Sequence, residues 1–175
     1  AVPFAPVHLL FINLLTDSLP ALAIGMEPAD AELLNEKPRD PKTGIMTKDF
    51  VVTILSEGIL IAIAAMSAYH IGIATSAAMA STMAFATLTL ARLFHGFNCR
   101  GRESIFRLGL LSNKYSLYAF GAGVGLLALV IFVPVLHGVF SIESLSIQAI
   151  GQIVVLSFVP TLIIQFVKII KTDKK

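Results

Sequence analysis

The sequence has a single cysteine, Cys99, in 175 residues, so neither an internal disulfide framework nor a cysteine-rich metal site can be built. Charge is scarce as well, at 14% of residues. The basic side chains are spread over short connecting stretches without interleaved aromatics, which argues against a nucleic-acid-binding face. No internal repeat runs through the chain, and its opening, AVPFAPVHLL, lacks the basic start and small-residue cleavage site of a secretory leader. What is abundant is apolar surface. With 56% hydrophobic residues and a mean hydropathy of +0.84, there is more of it than one soluble core of this size can hide. The composition therefore places the chain in a bilayer.

Five apolar runs, approximately 7–26, 50–73, 77–97, 115–136 and 147–170, each come near the ~20 residues that cross ~30 Å of hydrocarbon as a helix. The expected fold is all-α, a polytopic bundle of five transmembrane helices forming one membrane domain over 1–175. Pro20 and Pro160 fall inside the first and last runs. Each removes a helical hydrogen bond, so a kink or an opened turn is expected there.

Orientation follows from lysine and arginine. The loop 27–49 holds Lys37, Arg39, Lys42 and Lys48. The third connection holds Arg100, Arg102, Arg107 and Lys114, and the tail holds Lys168, Lys171, Lys174 and Lys175. The alternate connections have none. The positive-inside rule makes the basic loops and the C-terminus cytoplasmic and starts the chain outside. A start outside, mid-loop and without a leader, suggests a piece of a longer polypeptide.

Inside the first run, FINLLTDSLPALAIG, Asn13, Thr16 and Asp17 stand at i, i+3 and i+4. That spacing puts an amide, a hydroxyl and a carboxylate on one helical face. An intramembrane carboxylate is costly, faces a bundle interior and marks ion or proton paths. A turn opened beside Asp17 would free carbonyl oxygens to join it as ligands, as in discontinuous transporter helices. The alternative is a satisfied buried acid near a proline-disturbed turn.

Other polar residues carry less. Glu57, seven residues into the second run, fits either a partnered intramembrane acid or a side chain near the interface. His8, His70, His95 and His137 lie near run boundaries, with no spacing that suggests a shared metal. Gly121, Gly123 and Gly125 form GAGVG inside an apolar run with no preceding strand, so they point to close helix packing rather than a nucleotide loop. The small-residue run containing Ala80 and Ala84 reads the same way.

The stretch NLLTDSLPALAIGMEPAD followed by LLNEKPRDPKTGIM resembles the sixth membrane segment and following cytoplasmic loop of P-type cation-transporting ATPases of the calcium-pump branch. The four later runs match the family's last four helices in number, length and orientation. LFHGFNCRGRESIF resembles the eighth segment and its exit loop in bacterial and secretory-pathway-like pumps.

This resemblance implies that Asn13 and Asp17 supply oxygens to a transported Ca²⁺, together with groups from the fourth and fifth segments, while Thr16 matches a second-site position in two-ion relatives. Asn13 resembles the calcium type, since sodium/potassium relatives carry an acid there. Arg92 falls where two-calcium pumps carry a glutamate ligand. Either its guanidinium fills the second site, pairing with Asp17 or nearby carbonyls, or its stem snorkels toward the interface.

The loop 27–49, with Pro28, Pro38 and Pro41 and with Arg39, Asp40 and Lys42, would link the phosphorylation domain to the ion site. Nothing here matches the family's DKTGT phosphorylation motif, because PKTGI lacks the acceptor aspartate. The chain alone is then no ATPase, and ATP and Mg²⁺ belong to the parent. Its partners would be the bilayer and the rest of the same polypeptide, in a bacterial cell membrane. Manganese or another cation, or half of a secondary transporter, are the alternatives.

Overall fold

The computed structural model describes residues 3–28, 44–101 and 103–172. Among these residues the chain is helical and has no strand. Helix α1 spans Pro6–Gly25 and is α-helical at both ends, with a π segment over Ile12–Asp17. It is followed by α2 (Lys48–Ile73), α3 (Ala77–Asn98), the single turn α4 (Ile105–Leu108), α5 (Lys114–Phe132), the short α6 (Pro134–Phe140) and α7 (Ile147–Thr172). Five of these, α1, α2, α3, α5 and α7, are long and apolar enough to cross a membrane.

Local chemistry sets the ends. Thr47, Ser76 and Asn113 cap α2, α3 and α5, each accepting a hydrogen bond from the backbone N–H three residues on. The fourth apolar run does not continue to residue 136 as one helix. Pro134 has no N–H, and Val133 before it is extended, as a residue preceding proline prefers. The chain therefore stops α5 at Phe132 and starts α6 at Pro134. Pro160, by contrast, sits within an unbroken α7.

Helix α3 is the spine. Of its apolar window 61% is buried, against 33% or less for the other four, and it contacts α1, α2, α5 and α7. Its small residues make this possible: Ala80, Ala84, Ala86 and Ala91 are all buried. The α2–α3 hairpin closes so tightly that a Cβ on Gly72 would stand 2.6 Å from the Ala80 Cα.

The GAGVG stretch behaves less uniformly than expected. Gly123 packs directly on the Leu93 side chain, whereas a Cβ on Gly121 or Gly125 would meet nothing within 4 Å. Gly121 and Gly125, four residues apart, share one helical face, and Gly123 between them points the opposite way, onto α3.

Candidate functional site

Asp17 closes the π segment of α1, three residues before Pro20. Proline removes a donor and crowds the carbonyl four residues before it. The wider i→i+5 turn is the form the backbone takes immediately ahead of that point, and such turns recur at functional sites. The opened turn expected at Pro20 therefore takes the shape of a π segment.

Arg92, six residues before the end of α3, donates from Nη2 to Asp17 Oδ2 at 2.5 Å. Both side chains are about a third exposed, at 36% and 37%. Arg92 thus turns to the carboxylate. Among the described residues the only bond to that carboxylate falls on Oδ2. The bond spans 75 residues of sequence and ties the widened part of α1 to the spine.

The other two predicted positions are placed differently. Asn13 lies in the π segment but is exposed, like Leu10 and Leu14 beside it. The i, i+3, i+4 spacing assumes α geometry, and across an i→i+5 turn that superposition no longer holds. Thr16 belongs to the same segment by its backbone, and its side chain lies outside the described residues. Arg39, Asp40 and Lys42, with the rest of 29–43, also lie outside them.

At the basic end of the bundle, Glu27 follows the last turn of α1 and accepts a two-bond fork from Arg100, Nε to Oε2 at 2.9 Å and Nη2 to Oε1 at 2.7 Å. Asn113 Nδ2 donates to the same Oε2 at 2.7 Å and to the Ala23 carbonyl at 2.8 Å. The bonds from Arg100 hold the Glu27 carboxyl below its usual range, partial burial works against them, and the Asn113 bond and the Arg100 charge add to the lowering.

A second polar group joins α2, α3 and α7. Glu57 Oε2 stands 3.6 Å from His95 Nε2, an approach that becomes an ion pair when the imidazole is protonated. Asn98 donates to Thr161 and accepts from Gln165, and Lys168 Nζ donates to the carbonyls of Asn98 and Gly101. The Asn98 carbonyl ends α3 and Gly101 follows it, at the pole where an ammonium is favoured by the helix dipole.

Sequence reasoning missed three residues. His8 is no simple boundary residue: it is fully buried and stacked on Phe85 at 4.3 Å. Its Nδ1 accepts from the Ala5 N–H, which leaves Nε2 to donate to the Phe140 carbonyl and fixes a neutral tautomer. Glu27 and Arg100 read as loop charges. The available signal was Glu27's position directly after a helix already marked as broken, facing a loop rich in cations.

Residues 1–170 match the family model for the C-terminus of cation-transporting ATPases. The chain belongs to the cation-transporting ATPase family. It is 32% identical to calcium-transporting ATPase 1 of Bacillus cereus, over 99% of this chain and 22% of that protein. It is 41% identical to a calcium-transporting ATPase of Listeria monocytogenes, over 82% of this chain and 16% of that protein. Calcium-transporting ATPase type 2C member 1 of Mus musculus is 34% identical over 83% of this chain and 16% of its own length. The chain thus spans about a fifth of the length of the curated relatives it matches. With five candidate spans and this family, it is a multi-pass integral membrane protein, and the secondary-transporter alternative is set aside.

Proposed function

We infer that this chain is the C-terminal membrane part of an ATP-driven pump that exports Ca²⁺ from the cytoplasm of a bacterium, with its basic end on the cytoplasmic side. The observation that carries the reading is a carboxylate, Asp17, at the close of a π segment inside a membrane helix, in a chain whose relatives are named calcium-transporting ATPases. Asn13, Thr16 and Asp17 supply oxygens to the ion. Ca²⁺ takes six to eight oxygen ligands, so the remainder come from other membrane segments of the same polypeptide, for which the exposed Asn13 side of α1 leaves room. ATP and Mg²⁺ act in the cytoplasmic parts of the parent.

Arg92 fills the space of a second cation and satisfies the Asp17 charge when no ion is bound, so one Ca²⁺ moves per cycle. A guanidinium suits this role because it stays charged and its planar fork meets carboxylates well.

The test is ATP-dependent uptake of radiolabelled calcium by vesicles holding the full-length protein. Asp17→Asn is expected to lower uptake at least tenfold while the protein stays folded, and Arg92→Glu to change the ratio of calcium moved to ATP hydrolysed. Uptake by Asp17→Asn at the wild-type level removes Asp17 from the path. A wild type that moves manganese and not calcium corrects the ion, since carboxylate, carbonyl and water ligands suit both.

A further inference from the structure

Arg100 is fully enclosed at its side chain, and the function proposed above makes no use of it. Besides the fork to Glu27, its Nη1 donates to the Gly109 and Leu110 carbonyls and its Nη2 to Ser112 Oγ. A buried guanidinium with all its donors engaged is held in one geometry, and removing a partner leaves a charge without compensation. Among the described residues it is the most fully bonded contact at the basic end of α1.

Two ion pairs join the same two helices. Asp17 lies on α1 and Glu27 two residues past its end at Gly25; Arg92 lies on α3 and Arg100 two residues past its end at Asn98. Between these rungs Pro20 lies against Gly96, where a Cβ would stand 3.2 Å from the Pro20 Cβ. The upper rung is a single bond to a partly exposed carboxylate and has freedom to swing. The lower rung is a fork and has none. Because the π segment interrupts the α-helical ladder above Ser18, the depth and rotation of Ser18–Gly25 are set from below.

We propose that Arg100 is a positioning residue for the ion site: by gripping Glu27 it fixes the inner half of α1, and with it the place of the Asp17 carboxylate against Arg92. This rests on the pump reading above for its transport readout.

In vesicles holding the full-length protein, Glu27→Gln and Arg100→Lys are each expected to raise the calcium concentration for half-maximal uptake about five- to tenfold, with half-saturating ATP unchanged. The double variant is no worse than either single one, because both remove one fork. Glu27→Asp, which keeps the charge but withdraws the carboxylate by one carbon, gives a smaller shift and serves where the others fail to fold. In an Arg92→Ala background the same changes add nothing. A fall in maximal rate at unchanged calcium dependence, or a shift that persists without Arg92, overturns the proposal.

A second readout does not depend on the ion. Spin labels at Leu22→Cys and Tyr118→Cys, both exposed positions, in a background without other cysteines should give one narrow distance that broadens in Glu27→Gln and Arg100→Lys. If the wild type moves no calcium, the pump reading fails and this distance alone decides the positioning role, an unbroadened distribution overturning it.

Discussion

Two carboxylates, one in α1 and one just past its end, meet arginines in and just past α3 and are left in different states. Asp17 shares a single bond and remains 37% exposed, whereas Glu27 takes three charge-assisted or amide bonds and is mostly covered. The second arrangement is the stronger. Because the Glu27 carboxyl titrates below its unfolded range, it stabilises the fold at every pH above about 4.3, the unperturbed glutamate value, and that contribution fades as pH falls through the lowered folded value. Thermal unfolding of the purified protein between pH 7 and pH 3 should therefore show a constant gap between wild type and Glu27→Gln down to the ordinary carboxylate range, closing below it. A gap that closes already near pH 6 would contradict the lowered value. Asp17 was legible in the sequence because a carboxylate in an apolar run stands out. Glu27 and Arg100 were not, since 73 residues separate them and each alone looks like an ordinary loop charge.

At the scale of single helices, composition located the membrane crossings, while individual prolines and small residues determined their shape. The break at Pro134 was present in the letters, yet hydropathy averages over it and ran the fourth span to residue 136. The π segment at Ile12–Asp17 has no compositional mark, because its six residues would serve equally in an α-helix; Pro20 was the only pointer. Gly72 shows how narrow the hairpin margin is. Its neighbour across the turn is the Ala80 backbone, which cannot rotate away as a side chain would. Gly72→Val should destabilise the α2–α3 hairpin by about 3 kcal/mol, measured as a lower thermal midpoint, whereas Gly121→Ala and Gly125→Ala, which meet open space inside a helix, should hold or slightly raise it.

For the whole molecule, the asymmetry of charge and the central place of α3 belong together. The basic residues collect at the end where α3 finishes among Glu27, Arg100, Asn98 and Lys168, so the most densely bonded part of the bundle is also its most cationic. The orientation proposed above puts that end on the cytoplasmic side. A membrane-impermeant thiol reagent added to intact cells should accordingly modify Ser141→Cys, and reach Ile45→Cys only after permeabilisation, both positions being exposed; the reverse pattern would invert the bundle. The gathering of basic residues at alternate connections was legible because it depends on sums of residues, whereas the central place of α3 and the polar contacts depend on which helix faces which.

The π segment also settles a question of rotational phase. Its two flanking pieces are pinned to different places, the outer one by His8 on the Phe140 carbonyl and the inner one by Pro20 against Gly96 and by Glu27 on Arg100. An unbroken α-helix advances by about 100° per residue and would carry a fixed angle between those two docking faces. Because a turn closed one residue later absorbs an additional residue, α1 can present each half to its own dock at once, and the carboxylate sits where the two phases meet.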